Sequence, residues 1–213
     1  LDRSGALNFP CGHRRGTHAC RPCRPRERSA QISAGASTPI ASLTSASLTP
    51  AARLASAVLG KRTPLCVGLD PRWESLPLEL RRKHGDGQKP HDLAGVAAAY
   101  QEFCLTVLEL VAPYTGVVKP QMAFFEGCGP RGLDAVTAIM ARARELGLLV
   151  ILDAKRGDIA STASAYAEAA FAGSKFGPAT LPVWGAEALT VNPYLGEDAV
   201  APFVVEARKA GAG

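Results

Sequence analysis

Four charged side chains follow directly on an apolar run and could form one reactive cluster. They belong to the segment Asp153-Ala-Lys155-Arg-Gly-Asp158. Because Asp153 and Lys155 are two positions apart, an extended chain would turn both toward the same side. Neighbouring carboxylates would keep the Lys155 ammonium charged, and such a group can donate a proton to a carbanion as it forms. On spacing alone, a surface ion-pair cluster with Asp158 near the next helix N-terminus fits equally well.

The elements that must position this cluster alternate in type from residue 51 onward. We expect strands at 64–70, 116–119, 148–153 and 188–192, each of them a short apolar run. A short amphipathic segment at 51–59 leads into the first strand. We expect helices at 93–111, 132–146, 161–172 and 197–210, where apolar residues recur every three or four positions. Such alternation predicts a parallel sheet that is covered by helices and joined by right-handed crossovers.

Each predicted strand ends on a polar or charged residue, namely Asp70, Lys119, Asp153 and Asn192. In parallel α/β sheets the site lies at the carboxyl ends of the strands, so these side chains should converge there. Four βα units make up half of a (β/α)8 TIM barrel. The competing architecture is a doubly wound sheet, but no Gly-x-Gly-x-x-Gly follows the first strand. The sequence therefore favours an α/β barrel of which only about the first four units are present.

The first 50 residues differ from the rest in composition. Seven Arg against Asp2 and Glu27 account for the whole net charge of +5, so residues 51–213 are neutral. The predicted domain therefore offers no argument for binding to nucleic acid or to a membrane surface. Residues 29–50 carry no charged side chain and are mostly Ser, Ala, Thr and Pro, which predicts a disordered leader. The leader also has the Arg-rich, acid-poor composition of an organelle transit peptide.

Five potential zinc ligands lie in this leader: Cys11, His13, His18, Cys20 and Cys23. Four such side chains could close a tetrahedral site, but their spacing matches no common zinc finger. We therefore expect no metal. The remaining cysteines, Cys66, Cys104 and Cys128, lie in or near apolar segments and indicate small buried side chains in a reduced, cytoplasmic protein. The sequence has no uninterrupted apolar run of about 18 residues, so we expect no membrane-spanning helix.

The motif Asp-Ala-Lys-Arg-Gly-Asp-Ile at residues 153–159, followed by Thr162, closely resembles the signature of orotidine 5′-phosphate decarboxylase. The segments 67–71, 118–121, 124–126 and 190–196 are similar to its longer bacterial subfamily, and the resemblance spans residues 51–213. Related sugar-phosphate decarboxylases of the same barrel superfamily keep the Asp-x-Lys-x-x-Asp frame but usually not Arg156 and Gly157.

This resemblance implies a carbon–carbon lyase that converts orotidine 5′-monophosphate to UMP and carbon dioxide, the last step of de novo pyrimidine nucleotide synthesis, without metal or organic cofactor. Lys155 would be the proton donor to C6 of the pyrimidine. Asp153 would lie beside the substrate carboxylate and orient Lys155. Lys119 would complete the charged network and reach toward the ribose, and Asp70 would bind ribose hydroxyls.

The resemblance also implies a homodimer in which Asp158 and Thr162 reach into the partner's active site. The family's barrel continues for four more βα units, which supply the phosphate site, and no residue of this sequence can be assigned to the phosphate. We therefore expect the chain to be a fragment that shows little activity alone. Two other functions stay open, a decarboxylase of another phosphorylated sugar acid and an inactive half-barrel that serves as a binding or assembly module. The role of Asn192 also stays open.

Overall fold

The computed structural model describes residues 48–213. The leader predicted for residues 1–50, with its candidate zinc ligands, therefore lies almost wholly outside the described residues. The helices are α1 (Pro50–Lys61), α2 (Leu78–Lys83), α3 (Leu93–Val111), α4 (Met122–Glu126), α5 (Pro130–Glu145), α6 (Ala160–Ala170) and α7 (Glu197–Ala210). The strands are β1 (Cys66–Leu69), β2 (Val117–Pro120), β3 (Leu149–Arg156), β4 (Ser174–Phe176), β5 (Ala179–Leu181) and β6 (Ala188–Val191).

Four of these strands form one parallel sheet in the order β1-β2-β3-β6. The order follows the chain without reversal, whereas a doubly wound sheet reverses its order at a switch point. The prediction of a parallel α/β fold is confirmed, and the described residues form the first four βα units of a (β/α)8 barrel. The strands β4 and β5 form a separate antiparallel hairpin.

Two short helices and a β-hairpin were missing from the sequence prediction. The helices α2 and α4 have 6 and 5 residues, which is too short for a helical period to show. The β4–β5 hairpin turns at Gly177, whose φ of 61° suits glycine. The two strands were not predicted because the segment is rich in Gly and Pro, which are typical of loops. The strand β3 also runs past its predicted end at Asp153 to Arg156.

The main core lies between the sheet and the helices α3, α4 and α5. The helix α3 begins where the Asp92 side chain accepts a 2.7 Å hydrogen bond from the amide of Gly95. Fully buried core side chains are Leu108, Met122, Phe125, Ile139, Val150 and Leu152. Their packing fixes the sheet and therefore the positions of the residues at its carboxyl edge.

The helix α3 corrects one expectation from the sequence. By length and composition this helix is long and apolar enough to cross a membrane. The sequence analysis asked for an uninterrupted apolar run and did not find this one, because Glu102 and Glu109 interrupt it. Its residues Ala99, Cys104 and Leu108 are fully buried in the main core. This packing is that of a core helix, a class that meets the same length and composition criteria.

The cysteines also differ in part from expectation. Cys104 and Cys128 are buried free thiols, as predicted, whereas the free thiol Cys66 is exposed. Cys66 begins β1, an edge strand that has a neighbour on one side only, so the prediction that it is buried is wrong in this half of the sheet. Burial raises the pKa of the Cys104 thiol to about 12, which keeps the thiol neutral.

The outer edge of β6 meets the end of the chain. The amide of Leu189 donates to the carbonyl of Gly213 at 2.9 Å, and the amide of Gly213 donates to the carbonyl of Glu187 at 2.9 Å. Two bonds that flank Ala188 in this way form the pattern of a parallel strand pair. Beside this edge, α7 lines a groove of about 570 Å³ with the apolar residues Val200, Ala201, Val204 and Val205.

Candidate active site

The carboxylate of Asp153 is the centre of a hydrogen-bond network at the carboxyl edge of the sheet. Its Oδ2 atom accepts from Lys119 Nζ at 2.7 Å and from Gln121 Nε2 at 2.8 Å. Its Oδ1 atom accepts from Lys155 Nζ at 2.5 Å and from Thr190 Oγ1 at 2.8 Å. Asp153 is only 5% exposed. Each oxygen therefore has two donors in place of the water that burial removed.

Three neighbouring strands supply these groups. Lys119 lies on β2, Asp153 on β3 and Thr190 on β6, and the residue after β2, Gln121, forms a parallel bridge with Asp153. Because parallel strands end at one edge, the side chains near their carboxyl ends meet. The expected convergence thus holds for Lys119 and Asp153.

Lys155 reaches Asp153 by a different backbone path from the one that its spacing suggested. Its φ is 47°, in the left-handed region, so the chain is not extended at this residue. The β3–β6 register shifts between Leu152 and Arg156, and this bulge turns the Lys155 side chain back onto the Asp153 carboxylate. The prediction that the side chains of Asp153 and Lys155 meet is therefore confirmed. The reason given for it, an extended strand between them, is wrong. The Lys155 side chain stays 63% exposed.

Electrostatics keep this network charged. Burial by itself would raise the pKa of Asp153, but hydrogen bonds from Lys119, Lys155 and Thr190 outweigh it and hold that pKa well below its usual range. The hydrogen bond to Asp153 raises the pKa of Lys119 above its usual value, against the effect of partial burial. Two ammonium groups therefore face one carboxylate, with one positive charge in excess.

Asp70 and Asn192, at the ends of the outer two strands, take no part in this hydrogen-bond network. Asp70 is exposed, and its charge is near enough to contribute to the raised pKa of Lys119. The Oδ1 atom of Asn192 accepts the amide of Tyr194 at 3.0 Å, in the turn that follows β6. Because the side-chain oxygen of Asn192 is used in this turn, the prediction that Asn192 converges on the site is wrong. The residue of β6 that does bind Asp153 is Thr190.

Asp158 and Thr162 also lie outside the Asp153 network. Asp158 is half-buried between β3 and α6, and its Oδ1 atom accepts the amide of Ile159 at 2.7 Å. Thr162 is exposed in the first turn of α6. These positions suit either a role at the start of α6 or a contact with a second chain.

Arg156 ties the segment after Lys155 to two helices. Its Nη2 atom lies 2.5 Å from Glu126 Oε1 in α4, and its guanidinium carbon lies 5.2 Å from the centre of the Tyr166 ring in α6. All three residues line a cavity of about 260 Å³ between these helices and β3. The pair Arg156–Glu126 thus fixes the loop that leads from Lys155 to Asp158.

Sequence reasoning missed the parts that Gln121 and Thr190 play. Each was visible only through its spacing, because Gln121 is two residues after Lys119 and Thr190 is two residues before Asn192. Residues two apart in a strand share a face, and this rule could have placed Gln121 beside Lys119. For Thr190 the rule gives no guide, because Asn192 itself does not reach Asp153.

Comparisons with known proteins point to one family. A family model described as Orotidine 5′-phosphate decarboxylase / HUMPS family matches residues 63–213. A curated orotidine 5′-phosphate decarboxylase from Rhodopirellula baltica is 44% identical over 166 residues, which are 78% of this chain and 53% of that protein. Another, from Deinococcus radiodurans, is 43% identical over 153 residues, 72% of this chain and 46% of that protein.

Solved structures agree. The structure of Leishmania donovani OMP decarboxylase matches with 35% identity and a TM-score of 0.53, covering 74% of this chain and 50% of that one. A Plasmodium berghei orotidine 5′-monophosphate decarboxylase, 17% identical, shares the fold with a TM-score of 0.59, over 74% of this chain and 57% of that one. The chain spans about half the length of the curated relatives it matches.

Proposed function

The chain belongs to the orotidine 5′-phosphate decarboxylase / HUMPS family, as the motif at residues 153–159 predicted, and we propose that residues 51–213 form the first half of a barrel that decarboxylates orotidine 5′-monophosphate to UMP and carbon dioxide. The observation that carries this proposal is the buried carboxylate of Asp153, held between the ammonium groups of Lys119 and Lys155. This arrangement suits a reaction in which negative charge develops on carbon and is then protonated.

Lys155 is the proposed proton donor. When the bond between C6 of the pyrimidine and its carboxylate breaks, carbon dioxide leaves and the electron pair stays on C6. A proton from Lys155 Nζ then forms the C6–H bond of UMP, and water returns a proton to the amine. The exposure of the Lys155 side chain, 63%, supports this role because a substrate above the sheet can reach it.

Asp153 and Lys119 act on charge and geometry in this proposal. Asp153 fixes the Lys155 ammonium at 2.5 Å, and Lys119 neutralises Asp153 from its other oxygen. Since the Lys155 ammonium is exposed on the substrate side of the buried Asp153 carboxylate, we infer that stabilisation of the developing carbanion by Lys155 outweighs repulsion of the substrate carboxylate by Asp153. The reaction written in this way requires no metal and no organic cofactor.

The remaining assignments concern the sugar and the partner chain. We propose that exposed Asp70 binds ribose hydroxyls, since it lies at the same edge as Lys119. We also propose a homodimer, in which Asp158 and Thr162 complete the site of the partner. Their positions outside the Asp153 network and near the surface support this assignment. The free thiols of Cys66, Cys104 and Cys128 support a cytoplasmic location, where cysteines stay reduced.

A decarboxylase of another phosphorylated sugar acid is the second candidate, because the matching family model covers more than one group of proteins. Arg156 and Gly157 favour orotidine 5′-monophosphate, because this pair distinguishes the resembling motif from the wider Asp-x-Lys-x-x-Asp frame, and the curated relatives at 42–44% identity are named orotidine 5′-phosphate decarboxylase. An inactive half-barrel is disfavoured, since well-packed apolar side chains would stabilise this edge of a scaffold as well as the buried ion pairs of Asp153 do.

The test is turnover of orotidine 5′-monophosphate by the chain alone and by a fusion. The fusion joins Gly213 to the corresponding C-terminal half of the Rhodopirellula baltica relative. We expect little turnover from the chain alone and clear turnover from the fusion. Lys155→Ala should lower the rate of the fusion by a factor on the order of 10²–10⁴, the usual contribution of a general acid.

The matched control is Lys175→Ala, since Lys175 is also an exposed lysine paired with a carboxylate, Glu168, at 2.8 Å. It should leave the rate unchanged. A folded fusion that turns over another phosphorylated sugar acid instead would replace the proposed substrate. Robust turnover by the 213-residue chain alone, lost in Lys155→Ala, would contradict the need for a second half-barrel.

A further inference from the structure

Thr190 lies opposite the most irregular part of the sheet. In the β3–β6 register, Leu152 pairs with Leu189 and Arg156 pairs with Val191. Between these two pairs β3 has three residues, 153–155, while β6 has only Thr190. The regular ladder between the two backbones is therefore interrupted at the residues that the proposed reaction uses.

The hydroxyl of Thr190 fills this interruption with two hydrogen bonds. It accepts the backbone amide of Lys155 at 3.0 Å and donates to Asp153 Oδ1 at 2.8 Å. A hydroxyl has one donor and two acceptor lone pairs, so one oxygen atom can make both bonds at once. Thr190 thus links the backbone of Lys155 to the side chain of Asp153.

Lys155 needs such a link because of its backbone conformation. Among the described residues, only Arg62 and Lys155 are non-glycine residues with positive φ. Arg62 caps the C-terminus of α1, where a left-handed residue is ordinary. Lys155 has φ 47° inside a strand, a conformation that persists only when its surroundings hold it.

We propose that Thr190 is a positioning residue, whose hydroxyl holds the backbone of Lys155 in its left-handed conformation and so keeps the Lys155 ammonium on Asp153. Thr190 makes no contact with the reacting atoms and acts through these two residues. The catalytic part of this inference rests on the proposed function, whereas the structural part does not.

The test compares Thr190→Val, which keeps the shape and removes the hydroxyl, with Thr190→Ser, which keeps the hydroxyl. Amide hydrogen exchange is measured by NMR in the 213-residue chain. In Thr190→Val the Lys155 amide should exchange roughly five- to tenfold faster, the factor expected for one lost hydrogen bond. In Thr190→Ser it should exchange at the parental rate.

Two controls separate this effect from general loosening. The amide of Val150 donates to Glu187 Oε2 at 2.8 Å in the same strand, and its exchange should not change. Thr137→Val removes a hydroxyl that donates to the carbonyl of Leu133 on the exposed face of α5, and exchange of the Lys155 amide should stay at the parental rate in this variant. Should Thr190→Val not fold, Thr190→Ala replaces it in the comparison with Thr190→Ser.

Kinetics of the Gly213 fusion supply the second readout. Thr190→Val should lower kcat while KM stays near its parental value, and Thr190→Ser should restore kcat. The positioning role would be overturned if the Lys155 amide exchanged at the parental rate in Thr190→Val. It would also be overturned if this amide exchanged as fast in Thr190→Ser as in Thr190→Val. If no form of the fusion decarboxylates orotidine 5′-monophosphate, the proposed function fails, and the exchange data still decide the role of Thr190.

Discussion

Asp153→Asn tests the charge network by its effect on folding. The substitution keeps the size of the side chain and removes the negative charge between Lys119 and Lys155. The Lys119 pair, with side-chain exposures of 32% and 7%, should contribute about 2 kcal/mol as a charge-assisted hydrogen bond. The Lys155 pair is worth less, about 1 kcal/mol, because solvent screens a lysine that is 63% exposed.

We therefore expect Asp153→Asn to lower the free energy of unfolding at pH 7 by about 3 kcal/mol, within the range for breaking a buried pair. The assay is urea unfolding of the 213-residue chain followed by circular dichroism. The matched control is Asp134→Asn, because the pair of Arg131 and Asp134 is 3.6 Å long and more than 70% exposed on both sides. Its effect should stay within about 0.5 kcal/mol.

The pH dependence gives the sharper test. Because the folded pKa of Asp153 lies below its unfolded value, the unfolded chain binds the proton first as the pH falls. The stabilisation should be complete above the unfolded pKa of about 3.9 and should decrease as the pH falls below it. The parent and Asp153→Asn should therefore converge in stability in acid. A constant difference between them from pH 7 to pH 3, or none at pH 7, would refute the charge network as drawn.

Two further predictions concern the thiols and the shared site. Cys66 is exposed, although partial burial raises its pKa above the usual value, whereas Cys104 is buried with a pKa raised to about 12. A thiol reagent at pH 8 should therefore modify Cys66 well before Cys104, which should react only after denaturant is added. Equal rates at these two thiols in the folded chain would contradict the burial. In the fusion, Lys155→Ala and Asp158→Ala should each lose most turnover when assayed alone. Turnover should return when the two variants are mixed, because one site of the mixed dimer then has both residues. If dimers that are shown to exchange subunits recover no turnover, the result would count against a shared site.

The regular parts of the fold could be predicted from the sequence because they follow from local patterns. The predicted helices at 93–111 and 197–210 have the same bounds in the structure, since the apolar spacing that predicts each helix lies within its own segment. The four predicted strands are the four strands of the sheet. Short elements such as α4 carry too few residues for any period to show.

The candidate site was predictable in its residue types and less so in its geometry. Lys119, Asp153 and Lys155 could be grouped because strand ends of a parallel sheet meet at one edge. The bulge that turns Lys155 arises from the pairing of β3 with β6, which is a contact between segments far apart in sequence. No local pattern around Lys155 reports that pairing, and for the same reason the role of Thr190 could not be inferred before the register was known.

The described residues supply hydrogen-bond donors to both oxygens of Asp153. All four donors to Asp153 come from Lys119, Gln121, Lys155 and Thr190, on or just after the strands β2, β3 and β6. The uncovered grooves lie elsewhere, along α7 and the outer edge of β6. Because these four donors all lie between residues 119 and 190, the geometry of their hydrogen bonds and its effect on folding can be measured in this chain. In the proposed function, turnover would depend in addition on groups that bind the substrate phosphate, to which we assign no residue of this sequence. Loss of the network and loss of substrate binding are therefore separable in experiment, and a chain without turnover could still have an intact Asp153 site.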